Sequence, residues 1–294
     1  MHVLLDAIRS ADLSVYHFLN AYAGRKVLDL LAAFEEENSL LKGGLFFAAY
    51  AYLWFRKGSD REDRRRVIIA SFVGIILAVV VSRTIADSIP FRIRPMYEPT
   101  IFDRPHAFAI VGNMEKWSSF PSDTAAYFAA MAFGLAYLRR RWGAVLALYT
   151  AVWICLPRMF LGEHYLSDIV VGSLVGISTV WVSVRSKWLR STLAPFVLSL
   201  VDASPGIFYA AAFLVSFEMA VMFNDLRSAA RLLLHVSFHL LPVMFGLLAL
   251  VITVAYAVVR VSGRRGHSDR QMDQVHPVRI PLTGAALSAE RSRG

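Results

Sequence analysis

Residues Leu240–Val259 read LLPVMFGLLALVITVAYAVV, twenty positions without a charge. That is long enough to cross the hydrocarbon core of a bilayer as a helix. Working outward, apolar runs recur at Leu40–Phe55, Val67–Ile89, Thr124–Leu138, Trp142–Pro157, Ile169–Val184 and Gly206–Phe223. Several are shorter than about 20 residues, so tilt or polar ends must complete them. The composition agrees, with 56% hydrophobic and only 18% charged residues in the 294-residue chain. An ordinary soluble domain carries about 25% charge, and a surplus of apolar side chains this large does not fit inside one water-facing globule. A soluble enzyme, a disordered chain and a disulfide scaffold are excluded. The lone Cys155, set in an apolar run, excludes an intrachain bridge and a multi-cysteine metal site.

The expected fold class is therefore all-α: an integral membrane helical bundle with about seven transmembrane helices. Residues 1–38 carry Asp6, Arg9, Arg25 and Lys26 among apolar positions. They read as interfacial N-terminal helices, since a cleavable signal peptide needs an uninterrupted apolar centre. A transmembrane core follows at 39–190, then additional transmembrane helices at 191–262. The polar, aperiodic segment 263–294 reads as a disordered cytoplasmic tail.

Basic clusters at Arg56–Arg66, Arg139–Arg141, Arg185–Arg190 and from Arg260 alternate with the spans and so fall on one side, the cytoplasmic one. The C-terminus is then cytoplasmic, in an inner or plasma membrane. The net charge of +9 is mostly this topology signal, with attraction to anionic membrane lipids as a by-product. It gives no reason to expect a nucleic-acid partner.

Three segments on the other side carry the chemistry. The long loop Phe91–Pro121 opens with Phe91-Arg92-Ile93-Arg94-Pro95 and closes with Ser118-Ser119-Phe120-Pro121-Ser122-Asp123-Thr124. Two spans later comes Pro157-Arg158-Met159-Phe160-Leu161-Gly162-Glu163-His164-Tyr165-Leu166-Ser167-Asp168. Arg94 and Arg158 are permanently charged forks able to grip phosphate oxygens at two points. Ser122 and Asp123 stand at a helix start, where a hydroxyl and backbone N–H donors meet the positive dipole end. His164 and Asp168 are spaced i, i+4 and share a face if helical. An aspartate accepting from one ring nitrogen leaves the other basic, as a nucleophilic histidine needs.

This arrangement resembles the type 2 phosphatidic acid phosphatase family, which includes undecaprenyl diphosphate phosphatases and vanadium haloperoxidases. Arg158, His164 and Asp168 match its third signature, and Pro121 and Ser122 its second. Thr124 stands where the second signature has histidine. Arg94 and Pro95 match the end of the first signature, while Asp87 occupies its lysine position. The resemblance covers roughly residues 40–185. It implies a phosphatase-like core followed by two extra C-terminal spans, with His164 as the nucleophile that forms a phosphohistidine and Asp168 orienting it. Arg94, Arg158, Ser122 and Asp123 would hold the phosphate, and Thr124 marks the altered acid position. Without that acid, which typically contributes about 10²–10⁴ in rate, a leaving group that needs little protonation is favoured. The expected function is hydrolysis of a lipid phosphate, preferably a lipid diphosphate such as a polyprenyl diphosphate, at the periplasmic or exterior face. The alternative is a catalytically impaired member acting as a lipid-phosphate binder or membrane scaffold. No metal or cofactor is implied, and bound vanadate does not suit a site lacking the lysine and second histidine.

Auxiliary candidates are Lys42 and Arg83 for the phosphate, and His106, Glu115 and Glu163 for the missing proton. Elsewhere, Arg83 with Asp87 reads as a membrane-depth ion pair, Glu35-Glu36-Glu37-Asn38 as a solvated turn, and His235 with His239 as structural. Gly172-Ser173-Leu174-Val175-Gly176 is a small-residue face for another helix, with a homodimer as the alternative use.

Overall fold

A computed structural model describes residues 2–101 and 115–222 of the chain. His106, His235, His239, the run 240–259 and the tail 263–294 lie outside the described residues. All regular structure among the described residues is helical. Two N-terminal helices, α1 (His2–Asn20) and α2 (Lys26–Glu37), precede α3 (Leu40–Phe55) and α4 (Arg61–Ser88). After the long loop come α5 (Asp123–Leu138), α6 (Arg140–Phe160) and α7 (Leu166–Arg185), then α8 (Ala194–Ala203) and α9 (Pro205–Ala220). Three of them, α4, α6 and α7, are long and apolar enough to span a bilayer, and α3 and α9 are shorter apolar helices. A membrane-spanning helical bundle is thus present, and the seventh expected span falls outside the described residues.

The core is organised around α5, whose Ala125, Ala126, Tyr127, Phe128, Ala130 and Met131 are all fully buried. Its small side chains admit close neighbours on two sides, α4 and α7. The approach of α7 is closest at Gly172 and Gly176, where a Cβ would stand 2.3 Å from the Ser122 carbonyl oxygen and 2.0 Å from that of Ala126. The small-residue face of α7 is therefore spent inside the bundle, against α5. The Tyr127 hydroxyl donates to the Met219 carbonyl at 2.5 Å and the Tyr50 hydroxyl to that of Met131 at 3.0 Å, satisfying polar tips that the bilayer would leave dry.

The N-terminal helices are inside out. On α1 the buried residues are Asp12, Tyr16 and Asn20, at i, i+4 and i+8, while Val3, Leu4, Leu5 and Phe18 are exposed. On α2, Asp29 and Glu35 are buried, and Val27, Leu30, Leu31 and Phe34 are exposed. In water this polarity would be unstable; in lipid it places the apolar faces in hydrocarbon and aims the polar ones at the bundle.

The two ends of the bundle carry different chemistry. At the end where α4 begins and α5 meets α6, arginines cap and pair: Arg64 Nε donates to the Leu53 carbonyl at 2.7 Å, and Arg65 Nε to that of Trp54 at 3.1 Å. At the opposite end the α4 C-terminus, the α5 N-terminus and the α6–α7 turn converge.

Candidate functional site

At that second end, α6 contains a wide π-type turn at Thr150–Cys155 and stops at Phe160. Gly162, at φ 76°, takes the left-handed conformation that a side chain resists and reverses the chain. Three backbone bonds then join the three segments. Met96 N–H donates to the Gly162 carbonyl at 2.8 Å, Ser119 N–H to that of Arg92 at 2.9 Å, and Ser122 N–H to that of Asp168 at 3.1 Å. Segments far apart in sequence are thus joined at one end of the bundle.

His164 is 3% exposed. Its Nδ1 lies 2.8 Å from the Ser119 carbonyl oxygen, which only accepts, so Nδ1 carries the proton. Nε2 is left with its lone pair, 3.5 Å from Arg94 Nη1. Arg94 is itself fixed by two carbonyls, Nη1 to Glu163 at 2.9 Å and Nε to Trp117 at 3.3 Å. The expected orienting role of Asp168 is taken by the Ser119 carbonyl, because Asp168 Oδ2 is 3.7 Å from Nδ1, beyond hydrogen-bond reach. That oxygen instead accepts the Tyr165 N–H at 2.8 Å, capping α7. Oδ1 pairs with Arg92 at 2.6 Å. Arg92 continues to Asp12 on α1 at 2.7 Å, and Asp12 also accepts from the Ser167 backbone and hydroxyl. Asp168 is thus committed to the start of α7 and to Arg92.

The α5 start also differs from expectation. Ser122 Oγ accepts from Ala125 N–H at 3.3 Å, Thr124 N–H goes to Asp123 Oδ1 at 2.9 Å, and the Ser122 N–H is already committed to Asp168. These three N–H donors are spent within the protein. Asp123 forms an ion pair with Arg83, whose guanidinium stacks on the Trp117 ring at 4.5 Å. The expected Arg83–Asp87 pair is not made; Arg83 reaches across to α5 and the loop.

Arg158 is buried in acid. Nη1 meets Glu163 Oε2 at 2.5 Å and Nη2 meets Glu36 Oε2 at 2.6 Å. Lys42 meets Glu36 at 3.1 Å, and its Nζ lies 3.8 Å from Glu35 Oε1. The stretch expected to be a solvated turn is thus the end of α2, driven into the site with Glu35 1% exposed. Its apolar partners face lipid, so the acidic face turns inward, and only a hydrophobic pattern read for lipid rather than water carries that signal. Burial alone would raise the Glu163 carboxyl, but the Arg158 guanidinium holds it below the ordinary range. Burial pushes Glu35 from 4.5 up to about 7, against the pull of Lys42 and Arg158. Glu115 is exposed in the loop. Among the described residues no cluster of metal-ligating side chains occurs.

The arrangement offers a lone-pair nitrogen beside one guanidinium, with a second guanidinium and an ammonium linked to it through carboxylates. It is suited to attack on an anionic electrophile. Residues 91–191 match the PAP2 superfamily. Lipid A 1-diphosphate synthase of Escherichia coli is 28% identical over 176 residues, covering 57% of this chain and 68% of that protein. Among solved structures, Aquifex aeolicus LpxE is 21% identical with a TM-score of 0.40, covering 60% of this chain and 95% of that one. A PAP2-type phosphatidylglycerolphosphate phosphatase from Bacillus subtilis is 18% identical with a TM-score of 0.39, covering 60% and 84%. The segment that matches the PAP2 superfamily is the one that contains Arg94, Ser122, Arg158, His164 and Asp168.

Proposed function

We propose that the chain is a membrane phosphatase that hydrolyses a lipid phosphate through a phosphohistidine on His164, with lipid diphosphates such as polyprenyl diphosphates preferred. The observation that carries this reading is the His164 ring: Nδ1 is pinned to a carbonyl, and Nε2 is directed beside Arg94. Arg94 and Arg158 bind an anion and stabilise the charge that builds on the transferring phosphoryl group. Phosphate displaces the carboxylate of Glu36 or Glu163 from Arg158, an exchange of one anion for another. The basic clusters at the far end of the bundle support a site on the non-cytoplasmic face. The name of the Escherichia coli relative, lipid A 1-diphosphate synthase, fits a phosphate carried on a lipid.

Thr124 has no proton to give at neutral pH, so an alkoxide leaving from a monophosphate is penalised more than a phosphate leaving from a diphosphate. The test is phosphate release from a panel of lipid mono- and diphosphates, with wild type compared with Thr124→His. Diphosphates are expected to lead in wild type, and Thr124→His to raise the monophosphates selectively. Equal turnover of both classes by wild type would defeat the preference. Thr124 is also the observation that favours a lipid-phosphate binder without turnover. A phosphohistidine trapped without acid after incubation with a lipid diphosphate, and absent in His164→Ala, decides between the two.

A further inference from the structure

Around the site, each described carboxylate but one is committed. Glu163 and Glu36 hold Arg158, Asp123 holds Arg83, and Asp168 holds Arg92 and the Tyr165 amide. Glu35 is the exception: it is 1% exposed, and neither carboxyl oxygen has a hydrogen-bond partner. Its closest charge, Lys42 Nζ at 3.8 Å, is too far for a hydrogen bond. A buried carboxyl with nothing to donate to it is unfavourable as an anion and is kept protonated.

Its position is as telling as its isolation. Arg158 is the common neighbour of two groups of residues. Through Glu163 it joins Arg94 and His164, and through Glu36 it joins α2 and Glu35. An anion held by Arg158 would therefore have both His164 and Glu35 within one connected set of charges. In-line displacement at phosphorus needs a nucleophile on one face and a proton for the leaving oxygen on the other.

We propose that Glu35 supplies, less effectively than a histidine at position 124 would, the leaving-group proton that Thr124 cannot, which narrows the diphosphate preference without abolishing it; the assignment rests on the phosphatase reading above. His164 Nε2 forms the N–P bond as the P–O bond to the leaving group breaks, and the Glu35 carboxylic proton passes to the departing oxygen. Water then attacks the phosphohistidine. Its proton goes to the Glu35 carboxylate as the P–N bond breaks, releasing inorganic phosphate and restoring both side chains. The ionisable groups that face Glu35 are Lys42 on α3, Arg158, Tyr149 and Cys155 on α6, Glu36 on α2 and Glu163 in the α6–α7 turn. Its acidity near pH 7 suits a group that gives and retakes a proton in one cycle.

The test is Glu35→Gln in the full-length protein, a substitution that keeps the shape and neutrality of the protonated side chain. Turnover of dioleoyl phosphatidic acid and of farnesyl diphosphate is measured from pH 5 to 9. Glu35→Gln is expected to lower phosphatidate turnover by about 10²-fold while farnesyl diphosphate loses far less, and to abolish the fall in wild-type phosphatidate turnover above pH 7. Adding Thr124→His to Glu35→Gln is expected to restore most of the loss. Unchanged phosphatidate turnover, or an equal loss on both substrates, overturns the role of Glu35 alone. Wild-type turnover that survives His164→Ala overturns the phosphohistidine reading and this proposal with it.

Discussion

Arg64 and Arg65 at one end of the bundle are as buried as Arg94 and Arg158 at the other, 4% and 7% exposed against 5% and 7%. Burial therefore does not separate a structural arginine from one poised for a ligand; partners do. Arg64 and Arg65 close the C-terminal carbonyls of α3; Arg64 also pairs with Asp60, whose side chain is exposed, and Arg65 lies over the Trp54 ring at 4.6 Å. The carbonyl oxygens cannot leave. Arg158 instead holds two side-chain carboxylates, and Arg94 sits between carbonyls with one edge on His164. A carboxylate can be exchanged for a phosphate at little electrostatic cost, which sets Arg158 apart; Arg94, held by backbone carbonyls as Arg64 and Arg65 are, is set apart by its contact with His164.

The sharpest way to test this contrast is at the ring that the outer end positions. His164→Ala is expected to lower lipid-phosphate turnover by about 10⁴-fold or more, with helical content by circular dichroism retained. Next come the arginines themselves. Arg158→Ala is expected to cost about 10²–10³ in turnover. Arg64→Met should leave turnover per folded molecule nearly unchanged but lower stability by about 1–3 kcal/mol through its orphaned carbonyl partners. A variant of Arg64 that is stable but inactive would break the comparison. A smaller effect is expected at Asp12→Asn, which loosens Arg92 and hence the start of α7. About a tenfold fall in kcat with KM unchanged is expected, from a misplaced His164.

A separate effect is on stability against pH. The raised Glu35 carboxyl binds its proton more tightly in the folded protein than in the unfolded chain, where it titrates near 4.5, against about 7 when folded. Its contribution is full below pH 4.5 and is lost as pH rises through 7, by up to about 3 kcal/mol. Thermal unfolding in detergent at pH 5 and pH 8 should show that difference in wild type and a smaller one in Glu35→Gln.

How much of this was legible in the sequence depends on the range of the interaction. The membrane bundle and the convergence of Arg94, Ser122, Arg158 and His164 follow from hydropathy, charge alternation and spacing, all local properties of the chain. The hidden parts are contacts between distant segments. An i, i+4 spacing put Asp168 on the face of His164, but a loop carbonyl, Ser119, came closer, and spacing carries no information about that. Arg83 chose Asp123, forty residues away, over Asp87, because the C-terminal end of α4 lies beside the start of α5. Glu35 looked solvated because it opens an acidic run, Glu35-Glu36-Glu37-Asn38, of the kind that normally faces water. On α1 and α2 the apolar faces are the exposed ones, and the charge turns inward against the bundle instead.

The inverted N-terminal helices also decide what can be trimmed from this protein. A fragment cut to the homologous block 91–191 would keep its arginines and its histidine but lose Asp12, Glu35, Glu36, Lys42 and Arg83. Cations that are now neutralised would be stranded together, and the fragment would have neither the counter-ions nor the lipid-facing collar that holds them. The smallest working unit therefore starts well before the recognisable motifs.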